Sequence, residues 1–207
     1  MKIVSKFKRA LNHKNFSQLG IITCAGFAIV KIVLMCLNAI VFKVYSGNII
    51  ELVLDIINLI FYLAMTSIFI KGKDEFYYCY QGLLILIIND FIFPFISSLL
   101  SGVLLLSLIM PSLVMSLGVA YFITLCIDRK KQSKSTMITL KILGILTAII
   151  SIAFSVYEIV LISKSLVFID SWYIVEIIIF IIGTILGSIF EPLLLALYPF
   201  ILEKERM

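Results

Sequence analysis

Asn89 and Asp90 stand together inside an apolar run, CYQGLLILIINDFIFPFISSLL over residues 79–100, with Pro94 one turn later. A carboxylate at the centre of a membrane-spanning helix costs about 2.5 to 3.5 kcal/mol on insertion scales, so it faces a partner helix or a watery cavity. The chemistry open to it there is ion pairing, gating or proton transfer. Lys31, Lys141 and Glu191 are also charges within apolar runs. Lys31 and Asp90 each lie about 18 to 21 Å along their helices from the same end, which predicts one mid-membrane ion pair. Lys141 and Glu191 lie nearly equal distances before and after a shared loop, which predicts a second. Pairing would relieve both burial costs.

A second group is polar without an assigned partner. Glu51, Asp55, Asn58, Tyr62 and Thr66 follow one another at helical steps and share a face, which is either a hydrogen-bonded seam or the wall of an outward-facing cavity. Asn38, Asn89, Glu158 and Glu176 add to the same expectation. If Glu51, Asp55, Glu158, Asp170 and Glu176 converge, they make an acidic vestibule that attracts cations; otherwise they only mark span ends. Small residues at four-residue spacing, Gly20, Cys24 and Ala28, and the pair Gly183 and Gly187, predict close helix packing, within the chain or against another protein.

Signatures of catalysis are missing. The sequence contains no HExxH, GxSxG or P-loop and no cysteine with a neighbouring histidine as base, so no catalytic residue is assigned and a non-enzyme is expected. Cys24, Cys36, Cys79 and Cys126 lie in or beside apolar runs without a CxxC pair, and His13 is the single histidine. Neither a disulfide framework nor a metal site is expected, and no cofactor.

The elements that must position these residues are membrane helices. Of 207 residues, 62% are hydrophobic and only 14% charged, and the mean hydropathy is +1.18; a soluble domain of this length carries about a quarter of its residues charged. The pattern predicts an all-α, polytopic integral membrane protein: a single domain over 19–200 with spans near 19–44, 49–70, 78–100, 103–127, 136–163 and 172–200. No charge occurs in the 37 residues between Asp90 and Asp128. One helix of that length would measure about 56 Å against a hydrocarbon core of about 30 Å, so the chain crosses twice there, turning near 97–102. Pro111 is then a kink, or a helix start if the turn lies later.

Residues 1–18 set Ile3, Val4, Phe7 and Leu11 beneath Lys2, Lys6, Lys8, Arg9 and Lys14, as a short amphipathic segment on the membrane surface or a flexible basic tail. The apolar run that follows is too long for a secretory h-region, so no cleaved signal is expected. Residues 201–207 form a charged tail. With the N-terminus, the loops at 71–75 and 128–134 and this tail on one side, thirteen lysines and arginines gather there, against Lys43 and Lys164 opposite. This predicts both termini in the cytoplasm of a cell whose plasma membrane holds the chain. The net charge of +5 reflects that asymmetry and no nucleic-acid surface.

In size and topology the chain resembles the substrate-binding membrane subunits of energy-coupling-factor importers, with the stripe Gly20, Cys24 and Ala28 placed where those proteins pack on their partner. The resemblance implies a transport component that binds a small solute or peptide and works with a separate ATPase. The basic segment before the first span also fits a permease half of the ABC-2 kind. A different class is a partner-binding membrane protein without transport, such as an immunity or assembly factor. The lipid bilayer is the one partner common to all; the sequence leaves oligomeric state open.

Overall fold

The computed structural model describes residues 12–40, 49–92, 109–165 and 171–206. Every regular element among them is helical: α1 (His13–Ile40), α2 (Ile49–Lys71), α3 (Phe76–Ile87) running into a π turn (Ile88–Ile92), α4 (Ile109–Lys131), α5 (Lys134–Ser165), α6 (Ser171–Ile185) running through a second π turn (Leu186–Phe190) into α7 (Glu191–Glu205). Three described stretches are long and apolar enough to cross a membrane, His13–Ile40, Leu52–Lys71 and Lys134–Tyr157, and Phe76–Ile92 is a shorter apolar helix.

Neighbours in sequence are neighbours in space. α1 packs on α2, α2 on α3, the π turn after α3 on α4, α4 on α5 and α5 on α7, while α6 and α7 return to α1 and close the ring. Side-chain register makes each of these contacts antiparallel: Gly20 faces Phe69, whereas further along α1 Phe27 stacks on Tyr62 with ring centroids 4.9 Å apart. Short connections enforce this. The turn after α2 is closed by Gly72 donating to the Ile68 carbonyl at 3.0 Å, and Gln132 between α4 and α5 takes a left-handed φ of 45°.

The molecule is apolar outside as well as inside. Ile29, Ile60, Ile149 and Val156 are each between 57% and 62% exposed, a surface that water would not tolerate and hydrocarbon would. Inside, close approach is set by glycine. A Cβ on Gly20 or Gly82 would meet the Phe69 ring at 2.5 and 2.9 Å, so this ring lies across α1 and α3 only because both lack side chains there. Gly144 is more demanding: its Cβ would lie 2.6 Å from the Leu195 carbonyl oxygen, so the α5 and α7 backbones meet directly.

That carbonyl has a second reason to be special. Pro199 lies inside α7 and has no N–H to donate back to Leu195. Tyr121, fully buried on α4, donates its hydroxyl to the Leu195 oxygen at 2.9 Å instead. An orphaned carbonyl becomes a helix-to-helix tie.

Several boundaries differ from expectation. α1 begins at His13, and Phe16 and Ser17 are buried in the core, so residues 13–18 belong to the bundle and not to a surface segment. The expected tail at 201–207 is helical through Glu205 and is clamped: Glu205 meets His13 at 3.0 Å, Glu203 meets Lys141 at 2.7 Å, and Arg206 meets buried Asp128 at 2.7 Å. Thr136 donates to the other Asp128 oxygen at 2.5 Å. Pro111 falls in the first turn of α4, the second of its two expected roles, because a first-turn residue needs no N–H donor. The turn expected near 97–102, Pro94, residues 1–11 and Asp170 lie outside the described residues.

Candidate functional site: a buried carboxyl pair

The interior chemistry gathers where the two helix paths widen. Asp90 sits within the first π turn and Glu191 directly follows the second. Proline chemistry favours the second widening: Pro192 cannot donate to the Ser188 carbonyl. π turns expose backbone and re-aim side chains, which is why they recur at functional sites.

Asp90 and Glu191 are level with each other. Asp90 lies fourteen residues after Phe76 and Glu191 fourteen before Glu205, about 21 Å from the same end of the bundle. Both carboxyls line one cavity. Around them, Asn89 donates its side-chain amide to Asp90 Oδ1 at 2.8 Å and Tyr62 donates its hydroxyl to the same oxygen at 3.1 Å. Tyr62 is held by its stack on Phe27, and Phe27 in turn fits against Gly187, where a Cβ would lie 3.3 Å from the ring.

Three buried oxygens remain without a partner among the described residues: Asp90 Oδ2, Glu191 Oε1 and Ser151 Oγ. All three residues line one cavity of about 170 Å³, walled otherwise by Phe91, Val114, Met115, Phe154 and Gly187. Leaving a buried polar atom unsatisfied costs about 1 to 3 kcal/mol, more for charged groups. Among the described residues, no basic side chain lines the cavity. The described part of the wall is therefore rich in acceptors, an arrangement that a proton, a small cation or a protonated amine can satisfy.

The predicted ion pairs are not the ones that form. Lys31 meets Asp55 at 2.5 Å, not Asp90. Depth matched Lys31 to Asp90 well enough, but depth says nothing of direction, and Lys31 points to the adjacent face of α2. Lys141 meets Glu203, not Glu191. The contact of Gly144 with Leu195 fixes the register of α5 on α7 and sets Lys141 roughly one and a half turns short of Glu203 and two past Glu191. A long lysine at that height reaches toward the wetter helix end, its ammonium 5.0 Å from the Phe200 ring centroid.

Of the polar seam on α2, Tyr62 joins the site, Asp55 is taken by Lys31, and Thr66 turns back to the Tyr62 carbonyl at 2.8 Å. Asn38 and Asn58 are half-buried away from the cavity lining. Glu51, Glu158 and Glu176 lie on helices, but their side chains are outside the described residues, and with Asp170 so does the expected vestibule. Gly20, Cys24 and Ala28 are buried within this chain, which removes them as a docking stripe for a partner. Gly183 and Gly187 do face α1, at Val30 and Phe27.

Ser151 was not anticipated. It belongs to a buried stripe, Thr147, Ser151 and Ser155, at four-residue spacing. Thr147 and Ser155 donate to the Leu143 and Ser151 carbonyls, each at 2.8 Å, while the Ser151 hydroxyl is left over for the cavity. Compared with protein-family models, curated proteins and solved structures, the chain gives no match.

Proposed function

We propose that this chain is a multi-pass membrane transport component whose Asp90 and Glu191 carboxyls form a proton- and cation-binding site at mid-depth in the bilayer. The carrying observation is the cavity itself: two acids line it, each with an oxygen unpartnered among the described residues, together with a third such atom on Ser151. Intramembrane acids without a basic partner are a usual element of proton relays and ion pathways. A cavity of about 170 Å³ favours a small cation or amine over a peptide.

The topology that goes with this reading is six spans with both chain ends in the cytoplasm of a plasma membrane. Six antiparallel helix paths support it, as does the contact of His13 with Glu205, which brings the first and last described helix ends together. The positive-inside rule supplies the direction, since Lys71, Lys73, Arg129, Lys134, Lys204 and Arg206 belong to that same end. An ATPase partner is not needed for the site to work, because protonation of the pair couples the cavity to a proton gradient directly.

The test is flux. In proteoliposomes holding an imposed proton gradient read by a pH-sensitive dye, external sodium or lithium should dissipate the gradient through the wild-type protein. Glu191→Gln and Asp90→Asn should abolish that response, while Glu203→Gln, remote from the cavity, should keep it. Failure of both probes to move protons in the wild type, or full activity in the two amide variants, sinks the reading.

A further inference from the structure

A second site lies between α3 and α4, at the end that carries the clamp. Arg129 ends its helix with an exposed guanidinium 5.2 Å from the Tyr80 ring centroid. Its neighbour Asp128 is committed to Arg206 and Thr136, and no carboxylate pairs with Arg129 among the described residues. Arg129 and Tyr80 are shared by two cavities. One, of about 240 Å³, is walled by Phe76, Tyr77, Leu125 and Tyr198. The other, of about 590 Å³, runs down the helices past Leu84, Ile88, Phe122 and Cys126, with Arg129 the one charged residue in its wall among the described residues.

We infer that this groove holds an anionic phospholipid, its phosphate on Arg129 and one acyl chain along Leu84, Ile88 and Phe122. Three features select that occupant over a soluble anion. From Tyr80 to Ile88 the groove extends about 12 Å along the helix, a length of hydrocarbon and not of a free phosphate. Ile123 and Ile127 on the same helix are 53% and 41% exposed, so the groove opens onto a surface suited to acyl chains. Lys130, Lys131 and Lys134 follow Arg129 in sequence and disfavour the choline of a zwitterionic headgroup, while tyrosine hydroxyls beside an arginine suit the interfacial zone. The inference needs only that the chain lies in a membrane and is independent of any transport by the carboxyl pair.

Native mass spectrometry of the full chain in mild detergent tests it, with dioleoyl phosphatidylglycerol and dioleoyl phosphatidylcholine added at equal concentration. One phosphatidylglycerol should be retained with about tenfold preference, because both lipids bring a phosphate to Arg129 but only phosphatidylcholine brings a choline cation to the same guanidinium. Arg129→Gln, at an exposed position, should erase the preference. Dihexanoyl phosphatidylglycerol should be retained far less than the dioleoyl form, and inorganic phosphate should not compete. Equal retention of the two dioleoyl lipids, an unchanged preference in Arg129→Gln, retention independent of chain length or displacement by phosphate would each overturn the assignment.

Discussion

Changing one carboxyl of the interior pair to an amide should stabilise the protein, although the residue is buried and polar. Asp90 Oδ2 and Glu191 Oε1 are both acceptors without a donor among the described residues, and the two groups line one cavity. In Glu191→Gln the new NH₂ can donate to the Asp90 carboxylate in nearly the same volume, satisfying an oxygen whose orphaning costs about 1 to 3 kcal/mol. Glu191→Ala removes the same charge but supplies no donor and enlarges a cavity that already measures about 170 Å³; truncating a buried side chain without a replacement partner costs about 2 to 5 kcal/mol. The expected order of stability is therefore Gln at or above wild type, and Ala well below. Thermal unfolding in one mild detergent resolves this, since each kcal/mol moves the midpoint by roughly 2 to 4 °C for a chain of this size. Asp90→Asn should behave as Glu191→Gln does, with a smaller gain because Asn89 and Tyr62 already serve Asp90 Oδ1. Equal destabilisation by Gln and Ala at position 191 would show that the two carboxyls are satisfied in some other way.

Other variants check the scaffold. Tyr121→Phe should cost about 1 to 3 kcal/mol by orphaning the Leu195 carbonyl, and most of that cost should vanish in a Pro199→Ala background, where residue 199 regains an N–H; equal cost in both backgrounds in a double-mutant unfolding cycle would refute the tie. Gly144→Ala should destabilise by about 1 to 3 kcal/mol or more because its Cβ meets backbone, whereas Gly183→Ala, whose Cβ would lie 3.7 Å from Val30, should stay within about 0.5 kcal/mol on the same unfolding assay. Lys31→Met alone should be strongly destabilising and Lys31→Met with Asp55→Leu largely restored, as for a buried pair replaced by apolar groups; restoration by Asp90→Asn in place of Asp55→Leu would reinstate the pairing that the geometry rejects.

How much of this was legible depends on which physical signal carries each feature. Apolar length and charged loops carry the helices, and α2, α5 and the path from Ser171 to Glu205 lie close to the segments read from hydropathy. Helix ends stabilised by long-range contacts are not visible that way: His13 to Gln18 and the last turn look like polar tails until His13 meets Glu205 and Asp128 meets Arg206. Asp90 and Glu191 were each picked out by charge in an apolar run, but complementary charge suggested lysines as partners, and the structure joins the two acids. Counting Glu191 inward from the charged C-terminal turn, as Asp90 is counted from Phe76, gives both the same height. Ser151 could have been found from its spacing with Thr147 and Ser155. Gly144 could not, because one glycine inside an apolar helix carries no trace of the carbonyl it will face.

The account rests most heavily on a proton or cation bridging Asp90 and Glu191. Infrared difference spectroscopy of the reconstituted protein, on exchange of a sodium-free buffer for one containing sodium, observes carboxyl groups directly. The wild type should lose a protonated-carboxyl C=O band as the cation displaces the shared proton, and Glu191→Gln and Asp90→Asn should each lack the change. A wild-type spectrum with no carboxyl band responding to sodium, methylammonium or pH, or a response that survives in both variants, would contradict a binding role for the pair.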